Sequence, residues 1–401
     1  MKFDDLAIRH IPDVWQYTPP SNPRGKAWVE LEDEARQFDK MRSDVRENIM
    51  LNVDNAMNRS ETPAEVGKNI DEVLEILSKS YFCPNDAVDG DLLLKKANTN
   101  TLNKKLQSWC EQLVKNVPTI RKSLGAHIFF DKLPNVPAVI VCAGPSLGNS
   151  IEGLRKLKGK ALIVSTDTAF RSLIKRGIEP DIVNAHDAND NGARFFQGID
   201  TKSIAFFVNY ISPLTIEAYK GPKVYYYVSD IALPVYQLMA HACDWPGRLD
   251  GSFLQAGITG GSSVAHTALY VALRLGCNPI TFVGLDLSYP DLKKSHFETD
   301  NPKNVADQKL IDVWSINNQK VKTNLSFYSY KVVMERMAPY IQIMQNKELF
   351  TSTENEKDEV VGVVHAGLRP MHLGEFSEKF ASQERDEIKK LEGVLKSYGN
   401  Y

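Results

Sequence analysis

Four aspartates each close a short apolar run. Asp167 follows Leu162-Ile163-Val164, Asp187 follows Ile182-Val183, Asp230 follows Val224 to Val228, and Asp286 follows Ile280 to Val283. A carboxylate at the C-terminal end of a buried strand can hold a ribose or sugar hydroxyl, or a divalent metal. The same place also suits a helix N-cap. For Asp230, ahead of the apolar stretch Ile231 to Ala242, the cap is the better reading, whereas Asp187 and Asp286 point to function. Two glycine turns add a second chemistry. Gly144-Pro145-Ser146-Leu147 follows the apolar run Ala138 to Val141, and Gly260-Gly261-Ser262 precedes a helical stretch. Uncapped N–H groups at such helix starts form an anion seat. Neither turn is a GxGxxG or Walker A loop. His266 sits one turn into the helix behind Gly260-Gly261, and His296 lies in the polar loop after Asp286. An imidazole in either place could act as a general base near neutral pH. His186 is a weaker candidate, and His365 and His372 carry no assignment. A phosphate seat and a carboxylate on one rim suggest chemistry on a phosphorylated ligand.

These residues need a scaffold that brings strand ends together. Strands at 138–141, 161–164, 181–184, 204–208, 224–228 and 280–283 alternate with short helical stretches. That alternation predicts an α/β fold, a Rossmann-like, doubly wound and mainly parallel sheet. Val264, Ala265, Ala268, Leu269, Ala272 and Leu273 recur at helical spacing, with Gly276 as the helix stop and Ser262 or Ser263 as its cap. Before the sheet, residues 1–125 read as a helical attachment, with helices expected over 26–57, from Thr62, and over 101–124. Residues 134–323 form the core domain, and 324–401 a helical C-terminal region with helices over 325–344 and 379–398. Residues 290–318 read as loop with Trp314 as apolar anchor, and 351–358 as an exposed acidic stretch.

Composition narrows the function classes. The chain has 401 residues, 43% of them hydrophobic, enough for a large core. Lysine plus arginine (48) nearly balances aspartate plus glutamate (50), so nothing favours a nucleic-acid partner. No apolar run reaches membrane-span length and the N-terminus lacks a signal-peptide core, so a cytoplasmic protein is expected. The five cysteines are scattered without a CxxC pair, which argues against both a disulfide framework and a cysteine metal site.

Five motifs, in order, resemble the central domain of motility-associated factor (Maf) proteins. They are Cys142 to Leu147, Ser165-Thr166-Asp167, Gly177 to Val183, Thr259 to Ala265, and Phe282 to Tyr289. Together they span roughly residues 134–323. Maf proteins are bacterial flagellin glycosyltransferases that move nonulosonic acids from CMP-sugars, and their domain is similar to bacterial sialyltransferases. The same domain family includes an archaeal 6-hydroxymethyl-dihydropterin diphosphokinase. The resemblance implies that Gly144, Pro145, Ser146 and Leu147 contact the nucleotide, with Asp167 nearby. It implies that Gly260, Gly261 and Ser262 hold donor phosphate or sugar carboxylate, and that Asp286 and Tyr289 line the cleft. His296, His266 and Asp286 are then the catalytic candidates. The expected ligand is a CMP-sugar donor with no required cofactor, and a protein such as flagellin is the expected acceptor. The diphosphokinase alternative needs ATP and Mg²⁺, with Asp187 as a metal ligand. A non-catalytic nucleotide-sugar-binding module is the third reading. The sequence departs from the Maf pattern at Ser352 to Glu356, which lacks glycines, and at His186 to Asp190, which reads HDAND.

Overall fold

The computed structural model describes residues 89–229, 234–244, 246–290, 297, 310–317, 319–364 and 367–398. The helices expected at 26–57 and from Thr62, together with Asp230, His296 and His365, lie outside the described residues. The first described element is a long helix, α1 (Asp89–Ile120), which begins earlier and ends sooner than the sequence suggested.

The strands are β1 (Leu124–Gly125), β2 (Ala138–Val141), β3 (Leu162–Thr166), β4 (Ile182–Ala185), β5 (Ile204–Val208), β6 (Lys223–Val228), β7 (Gly257–Ile258) and β8 (Ile280–Val283). Their residues are almost wholly buried, as continuous apolar runs in a sheet covered on both faces must be. Between them come α2 (Leu147–Leu157), α3 (Asp167–Ile174), α4 (Pro213–Ala218), α5 (Pro234–Cys243) and α6 (Val264–Arg274). The main sheet runs β1-β6-β5-β4-β3-β2-β8 and then continues through β11 (Leu349–Thr351) and β12 (Arg369–Pro370), with β7 also pairing to β6. Every described pairing in it is parallel.

Two strands therefore come from the C-terminal stretch expected to be helical, because Leu349-Phe350-Thr351 pairs with β8 along its length. The remaining elements are β9 (Leu310–Trp314), β10 (Lys320–Asn324), α7 (Leu325–Gln345), α8 (Leu373–Phe380), α9 (Asp386–Lys389) and α10 (Leu391–Lys396). The terminal region is thus three short helices, not the single helix expected over 379–398. The 290–318 stretch, expected to be loop, contributes β9 to an antiparallel hairpin with β10. Asp312 pairs with both Lys320 and Lys322 across it. Trp314, expected as an anchor, is 61% exposed.

Helices cover both faces of the sheet. Leu147, Ile151 and Leu154 of α2 pack with Val139, Val141 and Ile163 on one face, joined by Leu373 and Phe376 of α8. Ala268, Leu269, Ala272 and Leu273 of α6 pack on the other with Ile140, Val164 and Phe206. The sheet has one reversal of direction. From β2 the chain steps outward through β3, β4, β5 and β6, then returns to place β8 on β2's other side. The carboxyl ends of β2 and β8 thus flank a topological switch point, where open α/β sheets place their ligands.

Candidate functional site

At the switch point the turns after β2 and β8 pack glycine against glycine. The Gly144 N–H donates to Gly284 O at 2.9 Å, prolonging the β2–β8 pairing by one step. Gly284 adopts φ +67°, and a Cβ there would lie 2.2 Å from Cys142 O. A Cβ on Gly144 would meet Asp286 Oδ2 at 2.0 Å and Gly284 O at 2.4 Å. Only glycine fits either place, and the close approach brings the Asp286 carboxylate against the start of α2. Asp286 Oδ2 accepts from the Ser146 hydroxyl at 2.7 Å and from the Ser146 N–H at 3.3 Å. The residue is 2% exposed. Burial pushes its carboxyl up to about 6, against the opposing pull of the Ser146 hydrogen bonds. The carboxylate expected to project from the strand end is therefore buried, itself occupying the N-terminal anion seat of α2.

Asp167 opens α3 at the end of β3. It accepts from the N–H and hydroxyl of Thr168, at 2.7 and 3.1 Å. Burial raises its carboxyl to about 6, with the Asp187 charge adding to the rise. Asp187 itself is exposed, 3.8 Å from the Lys105 ammonium. Beside it, His186 is half-buried between two tyrosines, Nε2 2.8 Å from Tyr210 Oη and Nδ1 3.2 Å from Tyr226 Oη. The Asn184 amide completes this network. Its nitrogen donates to Tyr226 Oη and Phe206 O, and its oxygen accepts from Thr267 Oγ1 and the Ala268 N–H. The amide orientation follows from these partners.

That network fixes the first turn of α6 over the end of β4. Ser263 is the N-cap, and His266 at N3 completes a capping box. The Ser263 N–H donates to His266 Nδ1 at 3.1 Å, so Nε2 carries the proton and donates to Tyr330 O at 3.1 Å. Both ring nitrogens are thus committed, and burial pushes the imidazole down to about 4. His266 does not face an anion seat as the sequence suggested; it ties α6 to α7. Gly261 has space only for a hydrogen, since a Cβ would lie 2.3 Å from His266 Cβ. Ser262 is the contrasting residue: its Oγ is buried and finds no hydrogen-bond partner among the described residues. Pro145 and Leu147 complete the first turn, Leu147 fully buried beneath it, and Gly260 packs against Val228 on the β6 side.

Tyr289 is 1% exposed and stacks on Phe327, ring centroids 5.4 Å apart. Its hydroxyl accepts from Asn324 Nδ2 at 2.6 Å, and its N–H donates to Lys322 O. Sequence reasoning had no signal for this arrangement, because the stretch holding β9 read as loop and residues 319–324, which hold β10, carried no reading. Phe297, which follows His296 in the chain, donates its N–H to Ala143 O at 2.8 Å. The stretch 351–354, expected to be exposed, is buried at the end of β11. There Thr353 Oγ1 accepts the Leu285 N–H, bracing the turn that carries Asp286.

The family model described as 6-hydroxymethylpterin diphosphokinase MptE-like matches residues 111–292. A protein of Treponema pallidum (strain Nichols), described only as "Uncharacterized protein", is 34% identical over 90 residues. That match covers 21% of this chain and 37% of the relative. A solved MAf glycosyltransferase from Magnetospirillum magneticum AMB-1 superposes with a TM-score of 0.52 at 16% identity. The superposition covers 82% of this chain and 50% of that one, so the chain spans half the length of the glycosyltransferase it matches. At that identity the likeness establishes the α/β fold. Among the described residues, no helix is long and apolar enough to cross a membrane.

Proposed function

We propose that this chain, whose residues 111–292 match the MptE-like family model, is a nucleotide-sugar glycosyltransferase. In this reading it moves a nonulosonic acid from a CMP-sugar to a hydroxyl acceptor. The observation that carries the proposal is the buried, unpartnered Ser262 hydroxyl at the N-terminus of α6. A buried hydroxyl without a partner costs free energy, and a ligand oxygen would relieve that cost. The dipole of α6, beyond what its capping box satisfies, favours an anion there, here the phosphate of the departing CMP.

Asp286 and Ser146, one switch point away, offer an acceptor and a donor for the hydroxyls of the ribose or the transferred sugar. A carboxyl held near 6 is also suited to take a proton at neutral pH. During transfer the acceptor oxygen bonds the anomeric carbon as that carbon's bond to the phosphate oxygen breaks. The acceptor's proton passes to the base. Asp286 is the described residue assigned that role, and His296 is its counterpart from the sequence. His266 is assigned to positioning, holding the α6 turn that presents Ser262.

One observation favours a second reading, the diphosphokinase activity that the family description names, read here as pyrophosphoryl transfer from ATP. Burial, and after it the Asp187 charge, raises Asp167, and Mg²⁺ bound there would offset that negative charge. The two reactions separate in one assay. Full-length protein is incubated with a CMP-nonulosonic acid and flagellin as hydroxyl acceptor without metal, or with ATP, Mg²⁺ and a hydroxymethylpterin. CMP release in the first mixture supports the glycosyltransferase, AMP release in the second the diphosphokinase, and neither product from either mixture overturns both.

A further inference from the structure

We infer that Glu354, Asp358 and His372 form a binding site for a transition-metal cation of the Zn²⁺ or Mn²⁺ kind, at the end of β11. The three residues come from three different places. Glu354 follows β11, Asp358 lies in the turn that Asn355 closes, and His372 is the N-cap of α8. Their ligand atoms all lie within 4.8 Å of one another. His372 Nδ1 is 3.5 Å from Glu354 Oε1 and 3.9 Å from Asp358 Oδ1. Metal–ligand bonds of about 2.1 Å in a tetrahedral array place neighbouring ligand atoms about 3.4 Å apart, close to the spacing here. Small closures of the exposed Asp358 side chain suffice to complete it.

Charge and ligand type point the same way. Glu354 is largely buried, its Oε1 also accepting the Leu373 N–H at 2.6 Å. Two carboxylates here share one imidazole, and among the described residues neither is paired with a lysine or arginine. A cation at their centre offsets that concentration of negative charge. An imidazole nitrogen in the set favours a first-row transition metal over Mg²⁺ or Ca²⁺, which prefer all-oxygen shells. Three protein ligands leave a fourth position for water or an exogenous oxyanion. The site adjoins the switch point through the same loop, since Thr353 accepts the Leu285 N–H and Glu354 O accepts from Asn149 of α2. The inference does not depend on which nucleotide, if any, the switch point binds.

Isothermal titration of chelator-stripped full-length protein with Zn²⁺, repeated with Mn²⁺ and Mg²⁺, tests this. The expected result is one saturable Zn²⁺ site per chain, with little response to Mg²⁺. Asp358→Ala and His372→Ala should each weaken binding at least tenfold. Asp358 is 89% exposed at its side chain, so its variant retains the fold, and unchanged melting of the metal-free variants confirms that. Absence of saturable binding overturns the inference. So does Zn²⁺ affinity unchanged in both variants, which would leave His372 as an ion-paired helix cap.

Discussion

The Ser146 hydroxyl donates to the Asp286 carboxylate at 2.7 Å, joining the first turn of α2 to the end of β8. The bond closes the switch point of the sheet and keeps a carboxylate in a place where burial works against its charge. Buried, strained carboxylates of this kind are retained where they act, and they reduce stability.

Replacing Asp286 with asparagine should therefore stabilise the fold at neutral pH while impairing turnover. The carboxyl rises from 3.8 to about 6 on folding. Between those values the folded chain holds a proton that the unfolded chain has released, so this contribution to stability is full below pH 4 and lost as pH rises through 6. His266 acts oppositely, falling from 6.5 to about 4. Its contribution is full above pH 6.5 and lost as pH falls through 4. In the wild type the two slopes largely offset each other. In Asp286→Asn the Asp286 slope is removed, while those of Asp167 and His266 remain. The variant should exceed the wild type by about 1–3 kcal/mol at pH 7, an advantage that vanishes near pH 4. Urea unfolding at the two pH values checks this.

Gly144→Ala should disrupt the site through space alone. The added methyl meets the Gly284 carbonyl, a backbone atom that cannot swing aside. A loss of about 1–3 kcal/mol is expected, with the Ser146–Asp286 bond broken. Unfolding measurements and ligand binding should fall together, whereas Gly374→Ala, within helix α8 where a Cβ meets nothing, should lower neither.

His266 supplies a test of positioning against catalysis. His266→Ala removes an acceptor from the Ser263 N–H and a donor from Tyr330 O, a loss of about 1–2 kcal/mol. Glutamine is itself a capping-box residue at N3. His266→Gln should restore most of the stability and, if the residue only positions α6, most of the activity. A glutamine variant that is stable but inactive would return the imidazole to the reaction.

The buried pair Arg248–Asp250 fastens α1 to the sheet. Arg248 pairs with Asp250 at 2.8 Å and also donates to the carbonyls of Ile120 and Ser123 at the end of α1. Arg248→Ala leaves a buried carboxylate without its counter-charge and should cost about 3–5 kcal/mol by urea unfolding. Asp312→Ala, whose lysine partners are exposed, should cost far less.

The central strands were legible because Ala138 to Val141, Leu162 to Val164 and Ile280 to Val283 are unbroken apolar runs, the signature of strands buried on both faces. The turn at Gly144 was legible as a glycine at a strand end. What lay hidden depended on partners distant in sequence. Nothing near Asp286 announces that Ser146, 140 residues earlier, will cover it. His266 looked exposed to a ligand because its partner, Tyr330, lies 64 residues on. β10 is polar and pairs Lys320 and Lys322 with Asp312 of β9, so the hairpin lacks the unbroken apolar run of a strand buried on both faces. β11 is three residues long, and its burial comes from β8.

The most direct measurement is isothermal titration of CMP into the metal-free wild-type protein and into Ser262→Ala and Ser262→Gly. The account predicts saturable, metal-independent binding to the wild type, weakened about tenfold when the hydroxyl is removed. Absence of CMP binding, or equal affinity in all three proteins, would contradict the assignment of the α6 N-terminus as the phosphate seat.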